Sequence, residues 1–291
     1  MTTTAEPLDA PAIVPGVYDI PAEVYHADPV PGGSLSSSGA RKLLPPSCPA
    51  RFKWERDNPP PPKKVFEVGT AAHKLVLGTG PELVLVDKAR WDTDETKAKV
   101  AEIRARGAVP LKRSDWDHVH GMAAALRRHP IASALFAPER GQAEQALLWQ
   151  DRATGVWRRA LLDHLPHPTS GRMVVADYKS TTSSSPATAR KTVFNYGYHC
   201  QGGWYLDGVE ALGLARDPAF VLVMQEKEPP YLITVVQLDH ESIQLGRELN
   251  RRAIDTYARC VETGHWPGYS DQIELITPPA WAASTHHEEY M

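Results

Sequence analysis

The chain has 291 residues, 42% of them hydrophobic and 23% charged, with a formal net charge of -3. That length and mix suit one elaborated domain with a sizeable core, and the near-neutral balance excludes a protein that coats nucleic acid through bulk positive charge. No apolar run approaches a membrane span, and the three scattered cysteines, Cys48, Cys200 and Cys260, exclude a disulfide framework and a four-cysteine zinc or iron-sulfur centre.

Residues 1–15 and 277–291 are rich in Thr, Ala and Pro without periodicity and read as disordered tails around a single domain over 16–276. With no basic, apolar leader at the start, the expected location is the cytoplasm. Ser34–Ser38 leads into a short N-capped helix that stops at Pro45-Pro46. The stretch Arg51 to Arg56 interleaves basic groups with Phe52 and Trp54, so Arg51 and Lys53 are the preferred phosphate contacts among several basic runs that include Lys63-Lys64. From Val65 to Leu77 apolar residues recur with helical spacing, and His73 lies on that helix. Helices are also predicted over 94–106 and 115–128.

The period then changes. Ala146–Trp149, Val156–Leu165 and Met173–Tyr178 are apolar segments joined by turns at 151–155 and 167–171, which predicts a three-stranded meander. A long helix is expected from Pro186 to Leu212, strands at Phe220–Gln225 and Tyr231–Gln237, and a closing helix from His240 to Thr263.

The chemistry concentrates where two of these strands end on acids. Residues two apart share a face of a strand, so Asp177 and Lys179 point the same way and Tyr178 points opposite. Cleavage of a phosphodiester calls for a hard cation on the phosphate oxygens, and the oxygens of Asp163 and Asp177 suit magnesium or manganese. Lys179 would help deprotonate or orient a water, or balance charge building on the phosphate. Taken alone, Asp-x-Lys is as readily a solvated hairpin; the apolar lead-in and Asp163 shift the balance toward a site. Gln201 and Tyr205, four apart on a helix, share a face and can hydrogen-bond a phosphate or the lysine. Between them Gly202 and Gly203 cost roughly 1 kcal/mol each relative to alanine, which implies that something approaches the backbone closely.

The order Gly69-Thr70-Ala71-Ala72-His73, Glu144 ahead of a strand, Asp163, Asp177-Tyr178-Lys179 and Tyr196-Gly197-Tyr198-His199-Cys200-Gln201 followed by Tyr205 resembles the RecE-type (exonuclease VIII-like) nucleases of the PD-(D/E)XK superfamily. The serines of Gly33–Ser38 and the segment Ser47–Phe52 extend the resemblance, which covers roughly residues 17–265. It implies an α/β fold whose mixed central sheet is flanked by helices. It also implies a magnesium-dependent exonuclease, with manganese as a substitute, that removes one strand of linear duplex DNA from its 5′ end. The 3′ overhang would serve a single-strand-annealing partner of the RecT type, in a phage or prophage setting, and ring tetramers occur among such proteins. By the same resemblance His73, Asp163, Asp177 and the Tyr178 carbonyl are metal ligands. Lys179 is the catalytic lysine, Glu144 binds a second metal through water or orients the nucleophile, and Gln201 and Tyr205 flank the site. Relatives often carry an arginine two residues before the first aspartate. Here that position is Leu161, and Arg159, two further back on the same strand face, is the expected substitute for DNA contact. The alternatives are a non-catalytic DNA-binding recombination accessory and an endonuclease of the same superfamily.

Overall fold

The computed structural model describes residues 13–59, 67–279 and 282. A short strand β1 (Gly16–Tyr18) and helix α1 (Ala22–His26) lead to β2 (Leu35–Ser36), α2 (Ser37–Lys42) and α3 (Pro49–Asp57). The Ser36 hydroxyl caps α2 by accepting the Gly39 N–H at 3.2 Å, as a serine before a helical run favours. Next come α4 (Glu67–Leu77), β3 (Leu83–Leu85), α5 (Asp94–Ala105), β4 (Val109–Leu111), α6 (Arg113–Arg128) and α7 (Pro130–Leu135). The expected meander follows as β5 (Gly141–Gln150), β6 (Trp157–Pro166) and β7 (Val174–Thr181). The chain ends in α8 (Pro186–Asn195), α9 (Tyr198–Ala211), β8 (Ala219–Glu226), β9 (Ile233–Gln237) and α10 (His240–Thr263).

Three differences from the expected elements have simple causes. The helix predicted over 186–212 is two helices, because Gly197 adopts φ +68° and breaks the run between Tyr196 and Tyr198. The strands β3 and β4 are three residues each and pair in parallel, too short for any periodicity to register. Helix α7 follows α6 with only His129 between them, the His129 ring accepting the Ala132 N–H at 3.1 Å. The basic pair Lys63-Lys64, the expected helix start at Val65 and most of both expected tails lie outside the described residues.

Seven of the described strands form one mixed sheet in the order β1-β5-β6-β7-β8-β9, with β2 added to β6. The pair β7 and β8 runs parallel from Val174↔Ala219 to Thr181↔Glu226, with α8 and α9 as its crossover. Flanked by helices, β8 reads as an almost continuous apolar run, Ala219 to Met224, all buried. The pairs β5–β6 and β8–β9 are antiparallel. The main core lies between the sheet and α9 and α10, around Leu147, Leu162, Trp204, Phe220, Leu222 and Ile254. Each such side chain contributes about 1.5–3 kcal/mol by burial.

The glycines of α9 are explained by that packing. A Cβ on Gly202 would press on the Phe220 ring at 2.7 Å, and one on Gly203 on the Arg247 backbone nitrogen at 3.2 Å. On α10, a Cβ at Gly246 would collide with the His199 carbonyl. The two helices therefore meet backbone to backbone, and Asn250 Nδ2 adds a hydrogen bond to the Cys200 carbonyl at 2.8 Å. Cys48, Cys200 and Cys260 are free and buried. Among the described residues, no helix is long and apolar enough to cross a membrane.

Candidate active site

The site forms where the sheet opens. One edge of β6 pairs with β5 from Gly141↔Pro166 to Gln150↔Trp157, interrupted only between Ala143↔His164 and Gln145↔Leu162, where Glu144 and Asp163 lie. The other edge is shared, with β2 on Arg158 and Arg159 and β7 only at His164↔Ala176. Between these contacts, at Leu161 and Asp163, no strand pairs with that edge among the described residues. Asp163 turns its carboxylate into the gap, and its Oδ2 accepts the Tyr178 N–H at 2.7 Å in place of a ladder bond. The N–H and C=O of a strand residue point to the same neighbour, so the Tyr178 carbonyl faces this gap too. The Tyr178 ring leaves on the other face and donates its hydroxyl to Gln225 Oε1 at 2.7 Å.

Asp177 and Lys179 share a face of β7, as the strand period requires. Lys179 Nζ lies 2.5 Å from Asp177 Oδ2. Gln201 Nε2 donates to Asp177 Oδ1 at 2.7 Å and to the Tyr205 hydroxyl at 2.9 Å. The helical pair is thus a clamp on the acid, whereas the sequence suggested a hold on phosphate or on the lysine. From α4, placed closely by the buried Ala71 and Ala72, His73 Nε2 lies 3.2 Å from Asp163 Oδ1. His73 Nδ1 lies 3.6 Å from Glu144 Oε1. Glu144 lies where the β5–β6 register is interrupted, between Ala143↔His164 and Gln145↔Leu162, and has φ +51°, a strained value for a residue with a Cβ.

Burial pushes the Asp177 carboxyl up to about 6, reinforced by the neighbouring Asp163 charge and opposed by Lys179. Burial works against the Lys179 ammonium, yet Asp177 and Asp163 together raise its pKa, so the group is a cation. Burial likewise opposes a charged His73, and the Asp163 hydrogen bond and charge outweigh it, with a net rise. Glu144 is raised by burial, with Asp163 adding to the effect. For Asp163, burial is overcome by His73, Lys179 and the Tyr178 N–H, and its pKa falls.

Among the described residues no three His, Cys, Asp or Glu side chains close into a cage. The acids are instead held by their own partners, Asp163 by His73 and Asp177 by Lys179 and Gln201. The donor set still fits a hard divalent cation. Asp177 Oδ2 is buried without a well-aligned hydrogen-bond donor despite its ion contact, and carboxylate and carbonyl oxygens converge beside one imidazole.

The residues expected to contact DNA all have partners within the protein. Arg159 points inward, 13% exposed, onto Asp28 Oδ2 at 2.7 Å and the Ser34 carbonyl at 2.9 Å. Its guanidinium fastens the segment before β2 to the sheet. Arg51 and Lys53 sit on α3 in ion pairs with Glu55 and Asp57. The groove beside α3 is lined by Lys42, Arg56 and Arg159, together with Asp28 and Glu55. Beside Lys179 lies a cleft of about 370 Å³ bordered by Ser36–Ser38, Arg41, Tyr196 and Tyr198. These residues carried no assigned role in the sequence. The serines and both tyrosines lie in motifs that carry the resemblance, but their meeting around one cleft needs α2 folded against α9.

A search of curated proteins finds no match. A solved structure from Eubacterium rectale, described as a "Putative exonuclease", superposes with a TM-score of 0.60 at 14% identity, covering 92% of this chain and 98% of that one. At that identity the likeness is one of fold. The solved structure of SSO0001 aligns at a TM-score of 0.30 and 15% identity, over 66% of this chain and 84% of that one, and carries no weight. The model of one family, described as a PDDEXK-like domain of unknown function (DUF3799), matches residues 36–279. That span takes in the open sheet edge with Asp163, Asp177 and Lys179, and the chain belongs to this PDDEXK-like family, within the PD-(D/E)XK nuclease superfamily.

Proposed function

We propose that the chain is a metal-dependent exodeoxyribonuclease that degrades one strand of linear duplex DNA from its 5′ end. The observation that carries the nuclease reading is the meeting of Asp163, Asp177 and Lys179 where the edge of β6 shared by β2 and β7 has no strand partner among the described residues. The 5′ polarity, the 3′ overhang handed to a RecT-type annealing protein, a ring tetramer, and a phage or prophage setting in the bacterial cytoplasm rest on the resemblance to RecE-type nucleases.

Asp163, Asp177, His73 and the Tyr178 carbonyl would hold the cation. Magnesium or manganese bound there supplies a Lewis acid for the phosphate and lowers the pKa of a water. Gln201 fixes the Asp177 carboxylate in place, and Tyr205 fixes Gln201. Lys179, charged and beside the cleft, stabilises negative charge as it builds on the phosphate. A raised pKa fits that role. Glu144, whose carboxyl is raised, is suited to orient the attacking water and take its proton. Arg159 acts through position, holding Ser34, just before β2, against β6.

The test is digestion of linear duplex labelled at either 5′ or 3′ end, with closed circles as control and magnesium present. Release of nucleotides from the 5′-labelled strand, with circles intact, is expected. Cutting of circles would favour the endonuclease reading, and intact linear DNA would remove the nuclease reading. Asp177→Ala should abolish cleavage, since loss of a ligand forfeits several kcal/mol of stabilisation and each 1.36 kcal/mol is about tenfold in rate.

A further inference from the structure

Tyr196 is 62% exposed, although it stands at a junction between two packed helices. Its ring stacks on Tyr198, with centroids 5.9 Å apart and planes 21° from parallel. The Tyr198 ring in turn lies 5.1 Å from Lys179 Nζ. Lysine, first ring and second ring thus form a short ladder that begins at the catalytic lysine and ends on an open aromatic face at the mouth of the cleft. The ladder is held rigid. Gly197 between the two tyrosines has φ +68°, the Arg41 guanidinium lies against it, and Arg41 Nη1 donates to the Tyr196 carbonyl. An exposed aromatic fixed in advance loses little freedom when something stacks on it.

We infer that Tyr196 and Tyr198 form a base-stacking subsite that takes an unpaired nucleobase of the strand being cut, close to the phosphate at Lys179. This rests on the nuclease reading and adds to it a preference for an end whose bases have separated. Every base presents a π-face, so such a platform tolerates any sequence, and it cannot take a base that is still paired and stacked in duplex. Lys179 provides the charge that draws the phosphate, and the rings provide a surface for the base beside it.

The experiment is a fluorescence anisotropy titration of a labelled single strand into the full chain, with calcium in place of magnesium so that binding is read without cleavage. Tyr196→Ala should weaken binding by about 5- to 150-fold, the range set by base–aromatic stacking, and Tyr196→Trp should restore it. A strand with abasic sites in place of its terminal bases should bind the parent chain as weakly as the intact strand binds Y196A, with no further loss on combining the two. Equal binding of the intact strand by the parent chain and Y196A overturns the platform while leaving the nuclease reading in place. So does equal binding of intact and abasic strands by the parent chain. Failure of the parent chain to bind either strand overturns the platform, and the nuclease reading is then decided separately by digestion of linear duplex.

Discussion

Asp163 stands in for a strand: its carboxylate accepts the Tyr178 N–H at 2.7 Å at the place where β6 and β7 have stopped pairing. The sheet is opened without leaving that donor bare, and the group that satisfies it is an acid whose second oxygen reaches His73 at 3.2 Å. Fold and chemistry therefore share one side chain, and substitutions there separate the two.

Asp163→Ala leaves the Tyr178 N–H without its partner, a loss of about 1–3 kcal/mol in stability. Asp163→Asn retains a carbonyl oxygen at the same place and should unfold close to the parent chain, while both variants lose cleavage. Denaturant midpoints measured beside initial rates check this. Equal stability of the two variants would refute the bridging role.

Lys179→Ala removes the cation beside Asp177, which is only 1% exposed on its side chain. Leaving a buried charge without its partner costs about 3–5 kcal/mol, so the variant should melt well below the parent chain in chelator. Magnesium should then raise its melting temperature more than it raises that of the parent. Turnover should fall about 100- to 1,000-fold, the effect of losing one preorganised charge-stabilising group. Unchanged turnover would rule out the role given to Lys179.

Gly246→Ala places a methyl group against the His199 carbonyl, where neither helix backbone can give way alone. Overpacking of this kind costs roughly 1–3 kcal/mol. Thermal unfolding should register the loss, whereas Gly264→Ala, in the left-handed turn after α10 with open space around it, tests backbone strain without a clash. A melting point unchanged in G246A would contradict the close contact of α9 and α10.

Burial holds the His199 imidazole below the ordinary histidine value of 6.5. The unfolded chain takes up a proton at that position once the pH drops below about 6.5, while the folded chain does not until the pH is lower still. Its contribution to stability is therefore complete above 6.5 and declines as the pH falls through the interval beneath, at no more than about 1.4 kcal/mol per pH unit for one proton. Denaturant unfolding at a series of pH values between 7.5 and 5 should show the decline, and His199→Gln should flatten it. A slope unaltered in H199Q would assign the effect to other groups.

Local periodicities were enough to place Asp177 with Lys179 and Gln201 with Tyr205, because a strand repeats every two residues and a helix brings i and i+4 together. They also marked the meander and the closing helix, and the two costly glycines of α9 announced a close neighbour. The sequence alone did not say which neighbour. That it is α10, meeting α9 at Gly246, depends on a contact between residues more than forty positions apart. The same holds for His73 against Asp163, for Arg159 turned inward to Asp28, and for Arg41 bracing the Tyr196–Tyr198 stack across the cleft. Spacing along the chain carries only the interactions that one element makes with itself. Which edge of β6 stays open, and which side chains gather there, is decided when β2 and β7 compete for that edge in three dimensions.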